Sequence, residues 1–125
     1  MMSEFDEVKL CNAAWGFREF TLREFFEASA KLGIPRVEVH VATKHPNSLR
    51  LDMTLEEIAE IKELALNTGV KISALAASSV LLFKGGVVVE RISEMMKIID
   101  LADAIDARVI RVFTGAEWLP MDKIN

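Results

Sequence analysis

Glu38, His40, Lys44 and Arg111 are the side chains in this sequence whose types and spacing could do chemistry, with Trp15 as an aromatic neighbour. Three of them fall in the stretch Gly33 to Asn47, GIPRVEVHVATKHPN. There Val37, Val39 and Val41 alternate with Glu38 and His40, and a strand sends alternate side chains to opposite faces. The valines would pack under helices while a carboxylate and an imidazole share the other face. On an internal strand such groups must be paired or put to use. A carboxylate can give or take a proton, and an imidazole titrates near neutrality. His40 is therefore either a satisfied structural histidine or a contact for a substrate hydroxyl. Lys44, followed by His45 in the loop above the strand, is either a solvated charge or a partner for a phosphate or carboxylate. Trp15 and Phe17 are either packing or a flat platform for a ligand.

The elements that must position these residues are legible in turn. Val8 to Ala14 is expected to be the first strand. Thr21-Leu-Arg-Glu24 and Thr54-Leu-Glu-Glu57 are capping boxes, in which hydroxyl and carboxylate satisfy each other's backbone N–H groups, and each opens a helix. The first helix runs to about Leu32, with Leu22, Phe25, Phe26, Ser29 and Leu32 on one face. The second carries Leu55, Ile58, Ile61, Ala65 and Leu66 and stops at Asn67-Thr68-Gly69. Gly33 suits a left-handed helix end. Further strands are expected from Arg36, over Lys71 to Ala77, and over Arg108 to Phe113. A third helix should run from about Val87–Glu90 to about Ile105, with Met95, Ile98, Ile99, Ala102 and Ile105 inward. Ser78 to Gly86 would be a loop. Its Gly85-Gly86 pair is a turn, because no phosphate-binding glycine pattern surrounds it. Residues 121–125 look like the opening of another helix.

This is an internal repeat. The helix stops fall at Gly33, Gly69 and Asp106, 36 and 37 residues apart, each before a strand: PRVEVHV, VKISALA, ARVIRVF. Alternating strands and helices imply a parallel sheet. Aligning the repeats on their helix stops puts Glu38, Ala74 and Arg111 at one strand position. Val37, Val39, Leu75, Ile110 and Val112 would face the helices. Glu38, His40, Ala74, Ala76, Arg111 and Phe113 would face the other way. A doubly wound sheet buries both faces under apolar strands. An ionisable face fits a barrel better, with a polar site at the C-terminal strand ends. A complete (β/α)8 barrel needs about 250 residues, and this chain has 125. The fold class expected is α/β, built of parallel (β/α) units. Residues 1–125 form one partial domain, the N-terminal half of a TIM barrel with about four strands and three helices. Its two open edges would be closed by the rest of a barrel or by a second copy in a homodimer. Glu38 and Arg111, two strands apart, are then either a buried ion pair or substrate contacts.

Composition narrows the partners. Apolar residues make up 51% and charged residues 27%, and the net charge is −4. No apolar run approaches the ~20 residues that cross a bilayer, so no membrane partner is expected. No nucleic acid is expected either, since that needs a basic surface. The opening MMSEFDEVKL lacks the apolar segment of a signal peptide. With Cys11 as its one cysteine, the chain has no disulfide framework, and a reducing cytoplasm is expected. Cys11 lies in an apolar segment and should be a buried structural thiol. Met95-Met96 is expected to be core.

From Val8 to Gly115 the order of motifs resembles a known superfamily. Ala14-Trp15 follows the first strand, Gly33 precedes VEVHV, Asn-Thr-Gly69 precedes KISALAAS, and ISEMMKIIDLADAIDARVIRVFTG follows. This is similar to the xylose-isomerase-like barrels: sugar (phosphate) isomerases and epimerases, inosose dehydratases and metal-dependent apurinic endonucleases. The resemblance implies a metal-dependent sugar or polyol isomerase or epimerase that moves a proton beside a carbonyl. It implies a divalent metal (Mn, Mg, Co or Zn) held mostly by the last four strands, outside this chain, so none of its metal ligands is expected here. The family's second-strand glutamate falls on Glu38, a fourth-strand arginine on Arg111, and a sugar-walling aromatic on Trp15. The nuclease branch carries histidines at the third and fourth strand ends. Here those ends read Ala77-Ser78-Ser79 and Thr114-Gly115, which argues against it. With so few groups, the isolated chain should be inactive. A self-assembling, non-catalytic half-barrel is the alternative.

Overall fold

The computed structural model describes residues 10–82 and 88–115, with side chains over 10–77 and 91–113. The elements are β1 (Asn12–Ala13), a 3-10 turn (Ala14–Phe17), α1 (Leu22–Lys31), β2 (Arg36–Val41), β3 (Ser48–Leu49), α2 (Leu55–Thr68), β4 (Lys71–Leu82), α3 (Val88–Ile105) and β5 (Val109–Gly115). All pairings are parallel, in the order β1-β2-β4-β5, with β3 added on β2. The chain is therefore an α/β fold of parallel units, consistent with half of a TIM barrel.

The repeat extends to individual hydrogen bonds. Each helix ends with a backbone N–H reaching five residues back: Ile34 to Ser29 O, Val70 to Ala65 O and Ala107 to Ala102 O, at 3.0, 2.9 and 2.8 Å. The residues before them are left-handed: Gly33 at φ 75°, Gly69 at 79° and Asp106 at 63°. This is the Schellman closure, used three times to turn a helix into the next strand. Both capping boxes form, Thr21 with Glu24 and Thr54 with Glu57.

One sheet face is packed under helices. Val37, Val39, Val41 and Leu75 have no exposed surface, and Ile110 and Val112 join them with Phe25, Phe26, Ile58, Ala65, Ile98 and Leu101. Several expected core positions are exposed instead: Leu32, Leu55, Leu66 and Ile99. Leu32 lies past the end of α1. Leu66 and Ile99 follow the buried Ala65 and Ile98, and one residue turns a helix by about 100°. Helices laid on a single sheet face bury only a narrow stripe, which here takes in Leu64 and Leu101. Met95 is partly buried, whereas Met96 is exposed.

The opposite face is open. Ala74 and Ala76 are covered, but Val109 is 57% and Phe113 49% exposed. Cys11, expected to be buried, is exposed. It precedes β1 on the Glu38 side of the sheet, where none of the described helices lies. β1 is shorter than Val8 to Ala14, and β4 continues to Leu82 where a loop from Ser78 was expected. Val8, Gly85-Gly86, Glu117–Pro120 and the helix start at 121–125 lie outside the described residues.

Register corrects one further expectation. Glu38 pairs with Ala74 as anticipated, but Ala74 pairs with Val109, and Arg111 pairs with Ala76, level with His40. β5 is thus staggered by two residues against the repeat alignment. Closing a sheet into a barrel demands such stagger, and a shear of eight over eight strands is about one residue per strand. Side chains must keep their face, so the shift comes in twos.

Candidate functional site at the strand ends

The site grows from the C-terminal end of β2. Because β4 pairs along all of β2, β1 and β3 share its other edge: β1 opposite Val37 and Glu38, β3 opposite His40 and Val41. β1 leaves that edge early because the chain coils into the 3-10 turn at Ala14. The turn swings Trp15 over the end of β2, and β3 takes the vacated edge. Ala42, just past β2, sits at φ 57°. That is strained for a residue with a Cβ. Its N–H donates to Leu49 O at 2.8 Å. This bend returns the Thr43–Asn47 loop across the strand end.

Three rings meet there. The centroids of Trp15 and His40 lie 5.9 Å apart, of Trp15 and His45 6.0 Å, and of His40 and His45 5.4 Å. Both contacts of Trp15 are edge-on, the geometry aromatic rings prefer. Asn47, fully buried, fastens the two segments: its Nδ2 donates to Phe17 O at 2.8 Å and to Ala14 O at 3.3 Å. Trp15 itself is 60% exposed and presents a broad apolar face.

His40 is buried, and its Nε2 has no hydrogen-bond partner, nor has Asn47 Oδ1. Burial lowers the His40 pKa below 6.5, and charge interaction with His45, Arg111 and Arg18 lowers it further, against a backbone hydrogen bond at Ala14. The ring is held neutral near pH 7, with one donor and one acceptor nitrogen. With the donor nitrogen turned to the Ala14 backbone, Nε2 is the acceptor and can take a hydrogen bond from a hydroxyl.

Of the residues singled out in the sequence, Trp15 and His40 come together, and Arg111 lies near enough to act on His40. Arg111 forms no ion pair with Glu38. Its Nη1 donates to Ala77 O at 3.3 Å, and its guanidinium lies over Phe113 at 4.5 Å. The two-residue stagger is the reason, since it carries Arg111 toward the strand ends and away from Glu38. Glu38 lies one inward step deeper, beside Ala13 and Ala74. Lys44 is exposed, and His45 takes the place in the site instead. The sequence reading missed Arg18, whose Cζ is 4.3 Å from the Trp15 centroid, and the tethering role of Asn47. For Arg18, its position three residues after Trp15 in a tight turn was the available signal.

No family model and no curated protein matches the chain. Among solved structures, it is similar to the crystal structure of a xylose isomerase domain containing protein from Salmonella typhimurium LT2. The TM-score is 0.64 at 18% identity, over 88% of this chain and 37% of that one. The chain thus spans little more than a third of that protein's length. Among the described residues no three His, Cys, Asp or Glu side chains converge to hold a metal ion. The residues here therefore do not by themselves fit the divalent metal that the resemblance implies. No helix among the described residues is long and apolar enough to cross a membrane. Parallel pairing, barrel stagger and the structural match agree: over these residues the chain has a xylose-isomerase-like fold, present in part.

Proposed function

We propose that this chain is the N-terminal half of a sugar or polyol isomerase or epimerase, working in the cytoplasm. The observation that carries the reading is the meeting of Trp15, His40 and His45 at the C-terminal strand ends, where barrels place their sites. Trp15 walls the apolar face of a sugar ring, and neutral His40 holds a hydroxyl. Arg111 adds positive charge beside them. The proton transfer next to a carbonyl needs acid and base groups, of which the described residues bring one carboxylate, Glu38, and one imidazole, His40, on this face. The divalent metal of such enzymes, Mn, Mg, Co or Zn, would take its ligands from the rest of a full-length barrel.

The test is solvent-deuterium uptake at the carbon beside the carbonyl, in a polypeptide carrying this chain and the strands that complete the barrel. Trp15→Ala should raise KM, and His40→Gln should lower kcat/KM. A completed barrel that exchanges no proton with any aldose, ketose or inosose would sink the reading. The isolated 125 residues should neither turn over substrate nor bind Mn2+ tightly in calorimetry.

A second reading rests on the open face, where Val109 and Phe113 are exposed, and on β5, which pairs only with β4 among the described strands. Two copies could close eight strands as a non-catalytic half-barrel dimer. Mass measured in solution separates the two, since a stable dimer of the 125 residues favours self-assembly.

A further inference from the structure

The ring cluster is cationic on a chain of net charge −4. Arg18 stacks on Trp15 and Arg111 on Phe113. A guanidinium held over a ring still has N–H groups to offer a planar partner, and Arg111 spends one of its own on Ala77 O. On the sheet, only Ala76 separates Arg111 from His40. The ion pairs among the described residues use Arg50, Lys71 and Arg91, so neither Arg18 nor Arg111 is paired with a carboxylate among them. Glu38, the carboxylate on this face, pairs with neither. At the same place His40 Nε2 is buried without a partner. Native folds rarely leave such atoms unsatisfied.

We propose that the molecule bound at these strand ends is a small hydroxylated oxyanion. Its carboxylate or phosphate is taken by the guanidiniums of Arg18 and Arg111, and a hydroxyl by His40 Nε2. Guanidinium forks match either anion. A bound anion also offsets the positive field that disfavours protonated His40. The hydroxylated part of this inference rests on the proposed function, and the anionic part does not.

With only two histidines, the imidazole NMR signals of the 125-residue chain report the site directly. Four probes are titrated: D-ribose, D-ribonate, D-ribose 5-phosphate and inorganic phosphate. At least one of the two sugar anions should shift both histidines at concentrations about tenfold below ribose, and Arg18→Gln, at an exposed residue, should remove about tenfold of that affinity, the size of one charge-assisted hydrogen bond. Arg111→Gln should act likewise, with circular dichroism confirming its fold. A response to ribonate alone assigns a carboxylate, and one to ribose 5-phosphate alone a phosphate. Ribose binding as tightly as its anions overturns the oxyanion and leaves the sugar reading intact. Inorganic phosphate binding as tightly as ribose 5-phosphate upholds the anion site and removes the sugar. No shift with any probe overturns the proposal.

Discussion

His40 and Arg111 stand on either side of Ala76: His40 pairs with Ala76 across one strand boundary, and Ala76 with Arg111 across the next. Neighbouring strands lie about 4.8 Å apart, so the two Cα atoms are separated by about 10 Å. Only a methyl group fills the row between them, and Ala76 is 2% exposed. Ala76→Leu should crowd both neighbours and cost about 1–3 kcal/mol, the usual range for overpacking. Urea unfolding measures the loss, and the His40 imidazole signal should move with it. An unchanged midpoint with an unmoved signal would show that the row is not packed.

The three left-handed helix ends are not equivalent in cost. Gly69 adopts φ 79° freely, whereas Asp106 holds 63° with a Cβ. A side chain in that region costs roughly 1–2 kcal/mol. Gly69→Ala should lose about 1 kcal/mol, while Asp106→Gly should gain a fraction of that. The Lys71–Asp106 contact at 3.9 Å is exposed on both sides, so its loss takes little away. Thermal midpoints moving in opposite directions for the two variants would confirm the asymmetry; a loss in Asp106→Gly would refute it.

Elements that rest on local rules were legible in the sequence. The capping hydroxyls of Thr21 and Thr54, the helix stops and the alternation in VEVHV depend on neighbours within five residues. The two faces of the sheet followed from that alternation. What escaped depended on partners distant in the chain. The level of Arg111 is set by barrel stagger, which no single repeat encodes. Asn47 works through carbonyls about thirty residues earlier. Arg18 is the exception: its ring is close in the chain, and it was missed because the 3-10 turn that brings the two together was not read from the sequence. Cys11 was misplaced because its apolar surroundings in sequence lie beside an uncovered sheet face.

Removing the Thr54 hydroxyl tests the caps. Thr54 accepts from Glu57 N at 3.1 Å, and Glu57 Oε2 accepts in turn from Thr54 N at 3.2 Å. Thr54→Ala should therefore cost about 1 kcal/mol. Thr21→Ala, with the same geometry, should cost a similar amount. Urea midpoints of the two variants and of the double variant should show additive losses, since the caps share no partner.

His40 gives the stability a definite pH dependence. Its folded pKa lies below the 6.5 of a free imidazole, through burial first and the positive neighbours second. Between the two values the unfolded chain binds more protons than the folded one. The contribution is thus complete above 6.5 and is lost as pH falls through the folded value. Wild type should lose more stability than His40→Gln between about pH 7.5 and about pH 5.5, a window that brackets the free imidazole. Equal losses in urea titrations of the two would show that His40 is protonated as easily in the fold as outside it.

Cys11 offers a check on the open face through its reactivity. Although exposed, its thiol is pushed up from 9.0, first by partial burial and then by the charge of Glu38, with Arg36 pulling the other way. The thiolate is the nucleophile, so near neutral pH Cys11 should react with iodoacetamide more slowly than a free thiol. Its rate should rise toward the free value in urea. Glu38→Gln removes one raising charge and should speed the native reaction at a fixed pH. A native rate equal to that of glutathione, or a slower one in Glu38→Gln, would mean that Cys11 does not sit beside Glu38 on this face.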